Sequence, residues 1–195
     1  GYGGAVHAGR IEPETSAIVV GCGAVGLSAV QGARLCGAST IVAVDINPLK
    51  LEWARRVGAT HVVDASEDDP VELMRELTGG RGADTAIEAA GQNITIRQTL
   101  EASRPGARVV ILGKTPFGEE IAFPFNIMMG EREIVRTSYG MCRPRVDFPR
   151  LANLYMDGRL YLDEMISARI PLAKINDGFD ELEKGNVARA LVVFE

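Results

Sequence analysis

The chain is 195 residues long, 46% hydrophobic, 24% charged and 6% aromatic, the composition of an ordinary globular protein and not of a disordered, collagen-like or coiled-coil one. A chain of this length buries about 70% of the surface its unfolded form exposes, enough for a full core without covalent staples. A net charge of -5, from 26 acids and 21 bases mixed along the chain, leaves no basic stripe to follow a phosphate backbone, so nucleic acid is not an expected partner. The three scattered cysteines, Cys22, Cys36 and Cys142, have no CxxC spacing and no histidine cluster nearby, which predicts neither a disulfide framework nor a zinc site. No apolar run approaches the roughly 18 residues of a membrane span and no signal-peptide pattern opens the chain, so no membrane partner and a reducing, cytoplasmic setting are expected. The start at Gly1-Tyr2-Gly3-Gly4, without methionine, leads us to expect a fragment from which something upstream was removed.

In chain order, short β-branched runs alternate with helical patterns, which predicts an α/β class with a parallel sheet. Ala17-Ile18-Val19-Val20 is continuously apolar, as suits a strand buried on both faces, and a glycine cluster ends it. From Val25 to about Leu35 the residues favour helix, with Ala29, Gly32 and Ala33 small enough to bring its backbone close to the sheet. Ile41-Val42-Ala43-Val44 is a second strand. Asn47 caps the next helix, Pro48 fits its first turn, Leu51, Ala54 and Val57 mark one face, and Gly58 stops it. His61-Val62-Val63 is a third strand. Asp69 and Glu72 flank Pro70 like a capping box ahead of Leu73, Met74 and Leu77, and Gly79-Gly80 ends that helix.

Ala83 to Ala89 supplies a fourth strand, followed by a helix from beyond Gly91 to about Ala102, a Pro105-Gly106 turn and a fifth strand at Arg108 to Leu112. Thr115 to Gly130 is less regular, but the alternation from Glu119 to Phe125 predicts an edge strand of the kind that pairs between subunits. Ile134 to Ser138 is a sixth strand and Phe148 to Met156 a helix closed by Gly158. Ile175, Phe179 and Leu182 mark a further helix, and Ala190 to Phe194 a last strand.

Gly21-Cys22-Gly23-Ala24-Val25-Gly26 is a GxGxxG hexapeptide, weak evidence by itself in a chain with 22 glycines. Its context is specific: it follows an apolar strand, opens a helix and precedes a second strand ending at Asp45, 19 residues after Gly26. Gly21 permits the tight turn, Gly23 lets a pyrophosphate approach the backbone, and Gly26 allows close helix-sheet contact. Amides around Ala24 and Val25, at the positive end of the helix dipole, can bind phosphate oxygens. Asp45 can accept from both hydroxyls of an adenine ribose and would repel a 2'-phosphate, which favours NAD over NADP. The expected architecture is a Rossmann-type doubly wound parallel sheet of about six strands. A structural turn followed by a capping aspartate stays open, as does an S-adenosylmethionine site with its similar first turn and acid.

Several ordered segments resemble the nicotinamide-binding domain of the medium-chain, zinc-dependent alcohol dehydrogenases. They are Gly1 to Val6, Gly21 to Ser28, Val44 to Asn47, Arg56 to Thr60, Ile87 to Gly91, Gly106 to Gly113, and Pro171-Leu172 with Ile175 to Phe179 before Arg189. The resemblance covers essentially the whole chain. It implies a lead-in helix over about 1–16, a Rossmann core over about 17–165, and a segment over about 166–195 that returns toward an absent catalytic domain. It further implies that Lys50 contacts the adenosine ribose, that Ala89 and Leu112 line the nicotinamide half of the site, and that Tyr139 offers backbone to the carboxamide. Arg189 is implied as the partner of the pyrophosphate, a role suited to a guanidinium.

The family's zinc ligands belong to the absent domain and lie outside this sequence. His7 and His61 are the only histidines, and His61, within a strand, is expected to be packed and not catalytic. Cys22 and Cys36 are expected to fill space. In the intact enzyme that the resemblance implies, zinc lowers the alcohol's pKa and hydride passes from the alkoxide carbon to NAD, with an alcohol or aldehyde substrate held through the absent domain. This chain alone is expected to bind cofactor weakly and catalyse nothing. A homo-oligomer, dimer or tetramer, is expected from the edge pattern. Alternatives are a stand-alone dinucleotide-binding module, or the same domain from a polyol, threonine or formaldehyde dehydrogenase.

Overall fold

A computed structural model describes residues 1–67, 69–185 and 187–194. The chain divides into two units, Gly1–Pro144 and Arg145–Glu195. In the first, six parallel strands form one sheet: β1 (Ser16–Val20), β2 (Thr40–Asp45), β3 (His61–Asp64), β4 (Ala83–Glu88), β5 (Ser103–Ile111) and β6 (Glu133–Arg136). Their order across the sheet is β3-β2-β1-β4-β5-β6. The chain works outward from β1 to β3, then crosses back to place β4 on the other side of β1. Val20 is consequently in register with Val44 of β2 on one side and Glu88 of β4 on the other. That reversal makes the carboxyl ends of β1 and β4 the topological switch point, where open α/β sheets bind ligands.

Helices cover both faces, as a sheet apolar on both sides requires. α1 (Ala24–Leu35) and α2 (Pro48–Val57) pack on one face, α3 (Pro70–Glu76) and α4 (Asn93–Ala102) on the other. Under α3 and α4, Met74, Ile96 and Leu100 meet Ile18, Val20, Val42, Val44, Ala86 and Val109 in a buried core. The helix ends follow the sequence closely. Asn47 Oδ1 accepts from the Leu49 amide at 3.0 Å, Asp69 Oδ1 from the Val71 amide at 2.9 Å, and Gly58 closes α2 in the left-handed conformation. Gly4–Ala8 forms a wide, π-type turn with Gly4, Ala5 and Ala8 buried. Among the described residues no helix is long and apolar enough to cross a membrane.

Three expectations change. Residues 119–124 form no strand: Pro124 has no amide proton to give a ladder, Ile121 and Phe125 are exposed, and Phe123 is the one aromatic turned toward the core. A 3₁₀ turn over Phe125–Gly130 follows, and the sheet edge on this side is β6. β5 also begins earlier than expected. Between the pairs Ala83–Ser103 and Thr85–Arg108 it carries extra residues, Pro105 and Gly106 among them, so the predicted turn is an irregularity within a strand. His61 is exposed on the edge strand β3 and not packed, its Nδ1 2.9 Å from Thr60 Oγ1.

α5 (Pro144–Met156) begins at the last residue of the first unit, and the second holds the rest of it with β7 (Ala168–Pro171), α6 (Ile175–Glu183) and β8 (Ala190–Val193). β7 and β8 pair in parallel with α6 as their crossover, a small βαβ unit. Gly158, at positive φ, follows the end of α5, and Tyr155 Oη donates to Asp163 Oδ2 at 2.7 Å. β7 was not anticipated from the sequence because Ala168-Arg169-Ile170-Pro171 is short, charged and ends in proline.

Candidate functional site

A cleft of about 420 Å³ opens at the carboxyl ends of β1, β2 and β4. Gly21, Gly23, Asp45, Lys50 and Ala89, all singled out from the sequence, line it. Gly21 turns at φ +93°, and a Cβ there would lie 2.7 Å from the Ala90 amide nitrogen. A Cβ on Gly26 would overlap the Gly21 carbonyl oxygen, so helix and turn meet at a distance only glycine allows.

Gly23 is different. Its backbone is extended (φ -70°, ψ -176°), open to any residue, and no protein atom lies within 4 Å of a Cβ built on it. Nothing in the protein requires a glycine at this position, whereas a pyrophosphate lying against the backbone does. The space thus fits the group expected from the motif. Ala24, Val25 and Gly26 begin α1, and the first amide bonded within that turn is Leu27's, to the Gly23 carbonyl at 2.9 Å. The amides ahead of it stand at the positive end of the helix dipole.

Asp45 ends β2 with its carboxylate at the cleft. Its Oδ2 accepts from the Cys22 amide at 2.7 Å and its Oδ1 from the Asn47 amide at 3.0 Å. Two of about four lone-pair positions are therefore used, leaving capacity for two hydroxyl donors. The bond to Cys22 also ties the acid to the glycine turn. Cys22 is fully buried and its thiol points to the Val44 carbonyl at 3.5 Å. Burial first, and the neighbouring Asp45 charge second, push this thiol far above the usual cysteine range, so it stays neutral and fills space.

Sequence reasoning missed half of the lining. Ile46 and Ile94, exposed to 68% and 58%, stand in the cleft with Ala65, Ala90, Gln92, Thr95 and Gln98. The signal for Ile46 was an apolar residue directly after the strand-ending acid. For Ile94, Thr95 and Gln98 it was one face of α4 behind Gly91.

Three further predicted residues are not in the lining of this cleft. Leu112 follows β5, its amide bonded to the Glu88 carbonyl at 2.8 Å and its side chain against Gly4. Tyr139 is exposed beyond β6 in a turn where Tyr139, Gly140 and Met141 are all left-handed, at φ +56°, +60° and +53°. Arg189 is exposed in the second unit, its carbonyl bonded to the Ser167 amide at 2.9 Å. Among the described residues no three His, Cys, Asp or Glu side chains gather as metal ligands. The cleft offers amides, a carboxylate, an ammonium and apolar walls, groups that bind and orient an extended polar ligand.

Comparison with known proteins agrees with this architecture. The family model described as zinc-binding dehydrogenase matches residues 24–156. An alcohol dehydrogenase class-3 from Cereibacter sphaeroides is 36% identical over 100% of this chain and 54% of its own length. The benzyl alcohol dehydrogenase structure from Acinetobacter calcoaceticus is 31% identical with a TM-score of 0.96, covering 100% of this chain and 54% of that one. A related structure from Sinorhizobium meliloti 1021, 31% identical over 98% of this chain and 57% of that one with a TM-score of 0.87, is bound to NADP. The chain thus spans about half the length of the relatives it matches.

Proposed function

The chain belongs to the zinc-binding dehydrogenase family, and from that premise we propose that it is the NAD-binding domain of an alcohol dehydrogenase, holding the nicotinamide for hydride exchange with an alcohol. The observation that carries this is the single cleft in which a glycine turn with an unexplained open face at Gly23 meets a strand-ending carboxylate with spare acceptor capacity. Asp45 takes the adenine ribose hydroxyls with Lys50 beside it. Ile46 and Ile94 flank the adenine, and the first amides of α1 take the pyrophosphate. Ala89 and Leu112 border the nicotinamide, and the Tyr139 backbone meets its carboxamide.

When bound, the dinucleotide supplies the hydride acceptor. The chain's part is to fix the ring's position and the face it presents, an orientation effect that lowers the barrier by several kcal/mol. On this reading the chain contributes binding and orientation, and alone it is expected to turn nothing over. Alcohol-dependent NADH formation by the isolated chain would overturn that last point.

NADP is the second reading, favoured by the NADP-bound relative. Asp45 decides between the two, because its charge opposes a 2'-phosphate. Titration with NADH and NADPH, followed by nicotinamide fluorescence, is expected to give tighter NADH binding by tenfold or more. Asp45→Ala is expected to weaken NADH and erase the preference; equal binding of both cofactors by the unaltered chain would refute the NAD assignment. We also assign a cytoplasmic setting, consistent with three scattered cysteines that have no CxxC spacing, and self-association in the whole protein. Light scattering showing only monomer at high concentration would count against the latter.

A further inference from the structure

Glu88 ends β4 at the switch point, in register with Val20 of β1, and its side chain is completely buried. A carboxylate is withdrawn from water only where the structure has a use for it. Its Oε1 accepts three hydrogen bonds, from the Ala90 amide at 2.9 Å, the Gly91 amide at 2.7 Å and the Thr95 hydroxyl at 2.7 Å. One oxygen thus joins the turn after β4 to the first turn of α4. The Glu88 carbonyl accepts from the Leu112 and Gly113 amides at 2.8 and 3.1 Å, which joins the same residue to the end of β5. The second carboxylate oxygen, Oε2, is buried with no hydrogen-bond partner among the described residues. It lies so close to Gly113 that a Cβ there would overlap both it and the Gly91 nitrogen.

A turn held for stability alone is made with less. Asp69 secures its own from the surface by accepting from the Val71 amide. The buried, half-satisfied carboxylate stands at the turn whose other side, Ala89, Ala90 and Gln92, lines the cleft. A dinucleotide anchored at Asp45 and crossing the glycine turn continues past β1 over the ends of β4 and β5, because those strands come next in the sheet. We propose that Glu88 is a positioning residue. By fixing residues 89–91 and 112–113 together, it shapes the surface on which the nicotinamide half of the cofactor rests. This inference rests on the dinucleotide reading above.

Two variants separate geometry from charge. Glu88→Gln keeps an acceptor at the Oε1 position without the charge; Glu88→Asp keeps the charge but withdraws it by one methylene. Binding of NADH and of ADP-ribose, which lacks the nicotinamide, is measured for this chain and both variants, with urea midpoints as a check on folding. Glu88→Gln is expected to hold both affinities within threefold. Glu88→Asp is expected to lose tenfold or more for NADH and no more than threefold for ADP-ribose. Equal losses of the two ligands in Glu88→Asp, or a Gln variant as impaired as the Asp one, overturns the positioning role. An unaltered chain that binds neither ligand overturns the cleft reading itself.

Discussion

At the amino ends of the strands, Asp84 Oδ2 accepts from the Ser16 amide at 2.8 Å and its hydroxyl at 2.6 Å, while Oδ1 accepts from Arg104 Nε at 2.6 Å. Nearby, Arg132 gives its three nitrogens to Ser103 Oγ, the Ser103 carbonyl and the Ile127 carbonyl, and Arg108 pairs with Glu133. Partial burial alone would raise the Asp84 pKa, but the Ser16 hydroxyl and amide and the Arg104 guanidinium outweigh it and hold it at about 2. The carboxyl ends present the opposite condition: Asp45 keeps spare lone pairs, Gly23 faces open space, and two isoleucines stand in solvent. Polar groups at one end satisfy each other and lock the strands; at the other they are left for a ligand. The same sheet thereby separates the work of staying folded from the work of binding.

The sharpest attack on that division is Gly26→Ala. Its Cβ has no room beside the Gly21 carbonyl, so overpacking should cost about 1–3 kcal/mol of stability and NADH binding should fall by more than 100-fold, checked by urea unfolding and fluorescence titration. Gly23→Ala tests the binding side by itself. With no protein atom near the added methyl, unfolding should shift by less than about 0.5 kcal/mol, yet NADH should bind tenfold more weakly; unchanged affinity would mean that no pyrophosphate lies there.

Asp84→Asn tests the opposite end and has the smallest effect, about 1 kcal/mol once solvent screening is allowed for, with NADH affinity unchanged. Because the native pKa of Asp84, about 2, lies below the roughly 3.9 of an unfolded aspartate, its contribution is complete above about pH 4 and is lost as pH falls toward 2. Urea midpoints across that window should drop less steeply in the Asn variant.

Much of this was legible in the residues. Asn47, Pro48 and Gly58 fixed the ends of α2 by local chemistry that tertiary packing had no reason to override, and the apolar run Ala17–Val20 could only be a central strand. The glycine turn and Asp45 were readable because their spacing is set by one βαβ unit. Ile94, Thr95 and Gln98 were not, since they reach the cleft only through the pairing of β4 with β1, some seventy residues away along the chain. Glu88 was hidden for a related reason: it fell inside the run Ala83 to Ala89 expected as a strand, and its three donors lie in the following turn and the start of α4, whose path the sequence does not announce. The alternation at Glu119 to Phe125 misled because period two does not make a strand where no neighbouring strand pairs with it.

The placement of β1 between β2 and β4 also governs when the cleft comes into being. Its walls come from segments as distant as Gly21 and Gln98, and they face one another only after Val20 has found Val44 on one flank and Glu88 on the other. Parallel pairings of this span close long loops and form slowly. A chain emerging from the ribosome therefore has its glycine turn long before it has a place for a cofactor, and a dinucleotide, by binding only the finished sheet, draws the folding equilibrium toward it.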